Sequence, residues 1–243
     1  MAIFKNINPR MAEDLNSRDS QKEIYKVNNR YDNKLARLYL EKHKIGLFRQ
    51  LSNFWEQRMA AQALALAGEP KAVLDLPCGA GRFWKILGRK SNRHLLAADY
   101  SQDMINTALN FQPPHIVQRF MTFRASAFEI ALSDASVDCI FCMRLLHHIS
   151  AREARAKIFR EFHRVTRDTV CLSLWVDGNI QASRRNYKKY RHNQQKYTRF
   201  LVSHKQIEAE FHQEGFDVKG YVDLMPVFSM WRTYILKRRE VNT

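Results

Sequence analysis

Apolar residues recur along this chain with two different periods, and the switch between them marks its organisation. Residues 1–20 are polar and show no period, as in a poorly ordered terminus. From Gln21 to Ala67 the spacing is helical. Leu35, Leu38 and Tyr39 stand at i, i+3 and i+4, and after a break at Gly46 the stripe continues through Phe48, Leu51, Trp55, Met59, Ala63 and Leu66. Gly68-Glu69-Pro70 ends the segment. An apolar stripe of this kind suits a helical layer packed on a core equally with a lid over a site.

From Lys71 onward, short apolar runs alternate with helical ones. Strands are predicted at Ala72–Pro77, His94–Asp99, Phe120–Ala125, Val137–Met143 and Thr169–Val176. A helix runs to about Leu87. Another starts after Ser101, a capping residue, with Asp103 in its first turn. A third covers Ala151–Val165, striped by Ile158, Phe159, Phe162 and Val165. Such alternation implies parallel strands joined by right-handed crossovers. Residues 178–202 interrupt the rhythm. A helix over Ser203–Gly215 follows, capped by Ser203 and stopped by Gly215, and two last strands, Phe216–Leu224 and Ser229–Lys237, join through Met225-Pro226. The expected fold is a three-layer α/β sandwich with a seven-stranded, mostly parallel sheet and an antiparallel C-terminal edge hairpin. Residues 1–70 form a helical extension, and 71–243 form the main domain, with a basic insertion at 178–202.

Composition adds one strong statement. The chain has 243 residues, 45% hydrophobic and 26% charged, ordinary for a globular protein long enough to bury a core. Its formal net charge is +16, which calls for an anionic partner: nucleic acid, a phosphorylated metabolite or an acidic membrane surface. No apolar run approaches the roughly 18–20 residues of a membrane span, and the first residues lack the apolar centre of a signal peptide, so a cytoplasmic protein is expected. Cys78, Cys139, Cys142 and Cys171 fall in strands or at a strand end, as buried thiols of a reducing compartment would. Cys139 and Cys142 lie three apart on a strand and face opposite ways. No second Cys or His pair stands at ligand spacing, so no metal site is expected.

The chemistry gathers at Ala72–Phe83, AVLDLPCGAGRF. An apolar strand meets Asp75, turns through Cys78-Gly79-Ala80-Gly81 and opens a helix. This is the nucleotide-binding corner of an open α/β sheet, where glycines let backbone approach a ligand. Asp99 ends the next strand, 24 residues after Asp75, at the place where an acid binds the two hydroxyls of a ribose. A dinucleotide site would want a third glycine. Trp84 stands there instead.

Leu74-Asp75-Leu76-Pro77-Cys78-Gly79-Ala80-Gly81 resembles the first motif of class I S-adenosylmethionine-dependent methyltransferases. The likeness continues in Ala98-Asp99-Tyr100-Ser101-Gln102-Asp103-Met104. It extends through Asp134-Ala135-Ser136-Val137-Asp138-Cys139-Ile140 and Leu145-Leu146-His147-His148-Ile149, close to the UbiE-like (methyltransferase type 11) branch. Residues 70–176 are covered in order and spacing. The resemblance implies a Rossmann-like fold and S-adenosyl-L-methionine as methyl donor. It implies that Asp75, Gly79 and Gly81 frame the methionine moiety, with Pro77 and Cys78 beside them. Asp99 would hold the ribose, Tyr100 and Met104 would lie along the adenine, and Met143 and Arg144 would floor the methyl-bearing end. Where the family has Gly-Asp-Ala, this chain reads Ala125-Ser126-Ala127-Phe128. Ser126 carries no charge, so Ala127 and Phe128 are expected to hold the adenine more by packing. His147 and His148 are candidate general bases, alternatively loop-packing residues, and Asp177 is a candidate by position alone.

Between Asp177 and Glu208 there is no acid, and eight basic residues alternate with Tyr187, Tyr190 and Tyr197. Arg184, Arg185, Lys188 and Tyr187 are the candidate acceptor-binding residues: cations for phosphate or carboxylate, an aromatic for bases or sugars. A solvated basic helix would have the same composition. Three functions remain open. One is methyl transfer to oxygen or nitrogen of a small, lipid-linked or glycan-linked anionic acceptor, such as a glycolipid, reached in one version at a membrane surface. Another is RNA methylation. The last is a non-catalytic cofactor-binding subunit.

Overall fold

In a computed structural model of the chain, residues 47–185 and 199–240 are described. The spacing at Leu35, Leu38 and Tyr39, and the candidates Tyr187 and Lys188, lie outside them. Seven strands form one sheet: β1 (Ala72–Asp75), β2 (His94–Asp99), β3 (Phe120–Arg124), β4 (Val137–Cys142), β5 (Thr166–Trp175), β6 (Phe216–Asp223) and β7 (Trp231–Arg238). Their spatial order is β3-β2-β1-β4-β5-β7-β6. The first five are parallel; β7 runs antiparallel to both β5 and β6. The edge hairpin therefore stands as expected. β5 begins three residues earlier than its apolar pattern suggested. Thr166 already pairs with Val137, and its hydroxyl donates to the carbonyls of Asp138 and Thr169 at 3.1 and 2.9 Å, so a polar residue opens the strand.

Alternation along the strands sends successive side chains to two cores. Leu74, Ile140 and Leu172 face one, covered by Ile158, Phe159 and Phe162 of α5 (Arg152–Val165) and by Ile207 and Phe211 of α6 (His204–Gln213). Their neighbours Val73, Cys139 and Cys171 face the other. There α1 (Leu47–Leu66), α2 (Trp84–Leu87) and α3 (Gln102–Phe111) supply Ala60, Ala63, Leu64, Trp84, Leu87, Ile105 and Ala108. A short α4 (Pro114–Val117) leads into β3. Cys139 and Cys142 fall in the two different cores. On the first face, Arg155 of α5 meets Glu210 of α6 in a buried bidentate pair, at 2.8 and 2.7 Å.

The expected apolar stripe of α1 is met at Met59 and Ala63 and missed at Trp55 and Leu66. Glu56, Met59, Ala60, Ala63, Leu64 and Ala67 are buried, whereas Trp55 and Leu66 are 41% and 47% exposed. Three alanines let the helix approach the sheet closely, which a face built on tryptophan would prevent. Small residues outrank bulky ones in choosing this face.

Candidate active site

The strand order reverses between β1 and β4, so the loops leaving their carboxyl ends diverge and open a crevice. A cleft of about 1060 Å³, including its open mouth, occupies this place. Its walls come from four strand ends: Leu76–Ala80 with Arg82 and Phe83 after β1; Asp99, Tyr100 and Met104 after β2; Ala125, Ala127 and Phe128 after β3; Met143–Leu145, His147 and His148 after β4. Arg199 completes it. Residues from five separate stretches of sequence thus meet in one cavity.

Gly79 and Gly81 adopt φ of +54° and +69°, the left-handed region open to glycine. At Gly81 a Cβ would stand 2.9 Å from the Trp84 ring, so close packing of the first helical turn also demands glycine there. The turn is tied to β2 by two bonds: Cys78 N–H donates to the Ala98 carbonyl at 2.8 Å, and Gly79 N–H donates to Asp99 Oδ2 at 2.9 Å. Asp99 Oδ1 accepts the Ser101 N–H, also at 2.9 Å. Each oxygen keeps further lone-pair capacity. Burial raises the Asp99 pKa to about 6, against the opposing pull of the Ser101, Gly79 and Tyr100 amides. A buried acid with fixed oxygens at the end of β2 fits a ligand bearing paired hydroxyls.

Asp75 is buried and does not line the cleft. Neither carboxyl oxygen has a hydrogen-bond partner among the described residues. Burial pushes its pKa well up, the Trp84 indole opposing and the charge of Asp99 adding. Cys78 lines the cleft as a neutral thiol, its pKa raised by burial and by Asp99 and Asp75. Pro77, Tyr100, Met104, Ala127, Phe128, Met143 and Arg144 line the cleft, whereas Gly81 and Ser126 do not. Ser126 Oγ accepts the Phe128 N–H at 3.2 Å, inside its own turn.

The other half of the cleft is cationic. Arg144 has φ of +66°, a left-handed residue without glycine's freedom. Its N–H donates to Ser173 Oγ at 2.9 Å, and its guanidinium lies 5.3 Å from the Trp231 ring centre and 3.2 Å from Glu56. Arg82 reaches the same Glu56 carboxylate at 3.2 Å and donates from Nε to Asn53 at 2.9 Å. One acid from α1 thus bridges two cleft-lining cations. Sequence reasoning passed over Glu56, although an acid three residues before Met59 inside an apolar stripe was the available signal. Arg82, directly after the glycine turn, was missed too.

His147 is buried, stacked on Trp175 with 5.0 Å between ring centres and edge-on to Trp231 at 5.2 Å. His148 is half-buried, and both line the cleft. Asp177 does not. Its carboxylate accepts from the His204 N–H at 2.9 Å and meets His204 Nδ1 at 2.7 Å, and these amide and ring contacts hold its pKa below the usual range against its partial burial. It caps α6 in place of the Ser203 side chain, which makes no cap bond. Arg184 is exposed, and Arg185 lies over Trp175 at 4.9 Å while donating to the Arg199 carbonyl at 2.9 Å. Neither lines the cleft. Among the described residues of the basic run, Arg199, counted in the sequence only as part of that run, does line it.

Comparison with known proteins bears on this geometry. Residues 74–172 match a family model described as a methyltransferase domain. An Encephalitozoon cuniculi protein named as a methyltransferase is 26% identical over 117 residues, 48% of this chain and 50% of that protein. A Mus musculus protein named as a tRNA methyltransferase is 26% identical over 117 residues, 24% of its length. The chain thus spans about half of the first relative and about a quarter of the second. Among solved structures, a magnesium protoporphyrin IX methyltransferase of Synechocystis with bound S-adenosylhomocysteine superposes with a TM-score of 0.62 at 13% identity, over 90% of this chain and 93% of that one. A Thermotoga maritima S-adenosylmethionine-dependent methyltransferase gives 0.58 at 12% identity, over 89% of this chain and 100% of that one.

Proposed function

We propose that this chain, a class I S-adenosylmethionine-dependent methyltransferase, passes its methyl group to an oxygen or nitrogen atom of an anionic acceptor, small or linked to lipid or glycan. The carrying observation is the division of the cleft: Asp99 on the β2 side of β1; Arg82, Arg144, His148 and Arg199 on the other. Glu56 holds Arg82 and Arg144 together, and guanidiniums gathered on one wall suit a carboxylate or phosphate.

When bound, S-adenosylmethionine supplies an already activated methyl group. The chain's task is therefore alignment and exclusion of water, together worth about 7–11 kcal/mol. In this reading Asp99 accepts from the ribose hydroxyls, and Tyr100, Met104, Ala127 and Phe128 enclose the adenine. The backbone from Pro77 to Gly79 holds the methionine end over Met143. His148, half-buried at the cleft wall, takes the acceptor proton where one must leave. His147, clamped between two tryptophans, positions it. Residues 47–66 serve as a packing layer that also orients two arginines through Glu56.

The mouse relative favours a second reading, in which RNA is the acceptor and the basic segment tracks its phosphates. Radiolabelled S-adenosylmethionine, incubated with the full chain and either lipid extract or RNA, separates the two. Label in an anionic, solvent-extractable product supports the first reading. Label in RNA replaces it with the second, and tight donor binding without transfer to either sinks both.

A further inference from the structure

The turn between β6 and β7 exposes a set of large apolar side chains. Met225 is 53%, Val227 67% and Phe228 60% exposed, and Ile180, next to them, is 39% exposed. Loops usually hide such residues or lack them. Here the backbone holds them out. Phe228 and Ser229 N–H groups both donate to the Met225 carbonyl, at 3.2 and 2.9 Å. Ile180 N–H donates to the Val227 carbonyl and Gln181 N–H to that of Phe228, at 2.9 and 3.0 Å. The Gln181 side chain accepts from Met230 N–H at 3.1 Å. Val227 stands at φ +69°, a conformation that β-branched residues rarely take without a reason. The loop is a built projection.

Its surroundings are cationic. Among the described residues beside it, Arg184 is exposed and Arg185 is half-buried. Arg184 and Arg185 follow Ile180 about one turn on in the short helix of residues 180–185. The acids next to the projection are engaged: Asp223 is held by both Nε and Nη2 of Arg232, at 2.7 and 2.9 Å, and Asp177 by His204. The projection also shares an edge with the cleft. Trp231, the first residue of β7, pairs with Trp175, the last of β5. The guanidiniums of Arg185 and of cleft-lining Arg199 both lie over Trp175.

From this combination we infer that Met225, Val227 and Phe228 insert into the interface of an anionic lipid bilayer, with the basic helix end at Arg184 and Arg185 against its headgroups. Apolar insertion and basic attraction are the two signals that together give stable peripheral binding. Cleft-lining His147 packs on both Trp175 and Trp231, so the projection borders the cleft, an arrangement suited to a lipid-borne acceptor. RNA would use the cations but has no use for an exposed methionine–valine–phenylalanine tip.

The inference goes beyond the proposed reaction, because membrane binding is measured without methyl transfer. The full chain is sedimented with vesicles of phosphatidylcholine alone or mixed with phosphatidylglycerol. Binding to the mixed vesicles, weakened by salt, is expected. The Met225→Ser/Val227→Ser/Phe228→Ser variant should bind them at least about tenfold more weakly while keeping its affinity for S-adenosylhomocysteine. A second measurement does not depend on that variant's folding. The four native cysteines are all buried, so a polarity-sensitive dye on Val227→Cys reports the loop alone and should shift to the blue on anionic vesicles. No sedimentation, no blue shift, or undiminished binding of the folded triple variant overturns the inference. A blue shift with RNA and none with vesicles would make the projection a nucleic-acid contact.

Discussion

Removing the carboxylate of Asp99 tests the donor site most directly. Its two oxygens are fixed by the Gly79 and Ser101 amides, and each has room to accept one ribose hydroxyl. A hydrogen bond to a charged group contributes about 1.5–3 kcal/mol. Asp99→Ala should therefore weaken S-adenosylhomocysteine binding by about two to four orders of magnitude. The fold should survive. Alanine leaves two amides unpaired, at about 1–3 kcal/mol each, but removes a buried charge. The rise in pKa from 3.8 to about 6 sets the cost of that charge at about 3 kcal/mol, so the two effects nearly offset. The sign of the pH dependence follows. Between pH 4 and 6 the native protein holds a proton that the unfolded chain has released, so Asp99 lowers stability as pH rises through that window. Ligand binding runs the other way, because only the ionised carboxylate accepts from both hydroxyls. Affinity should be flat above about pH 7 and fall about tenfold per pH unit below about 6. Calorimetric titration across about pH 5 to 8 reads both effects. Wild-type affinity in Asp99→Ala, or a flat profile in the parent, refutes the ribose assignment.

Three further outcomes are expected. Glu56→Gln should raise KM for the acceptor several-fold with little change in donor affinity, measured by steady-state kinetics, because Arg82 and Arg144 lose the anion that orients both. Glu210→Ala should cost about 3–5 kcal/mol in urea unfolding, since Arg155 is left charged and buried. Asp75→Asn should melt no lower than the parent at neutral pH and higher in alkali. Burial raises the Asp75 pKa, so any stability tied to its protonated form is lost as pH rises through that pKa, and asparagine does not ionise.

Much of this architecture could be read from residue order, for reasons that differ by element. Apolar runs such as Cys139–Cys142 admit few readings other than a buried strand, and the turn at Gly79 and Gly81 carries a backbone demand that only glycine meets cheaply. Local chemistry was legible for the same reason. What depended on packing was not. Trp55 scored as a core residue until three alanines proved to be the better fit against the sheet. Thr166 was invisible as a strand residue because its pairing partner Val137 and one of its two carbonyl partners, Asp138, are distant in sequence. Asp177 looked available for catalysis until α6 folded back to use it as a cap. Arg199 and Glu56 enter the cleft region from opposite ends of the chain, and only the tertiary fold brings them near Arg144.

The reversal of strand order between β1 and β4 bears on how such a site diversifies. Asp99, Tyr100, Met104, Ala127 and Phe128 reach the cleft from the β2–β3 side, while Arg144, His148 and Arg199 reach it from the β4–β5 side. The two sets share no loop. In the proposed reading, a lineage can therefore exchange the loops on one flank, and with them the recipient of the methyl group, while the other flank keeps its donor. Arg82 is the exception, rooted beside the glycine turn yet paired through Glu56 with Arg144. A graft of the β4–β5 loops alone would strand it, so a working chimera must carry α1 along.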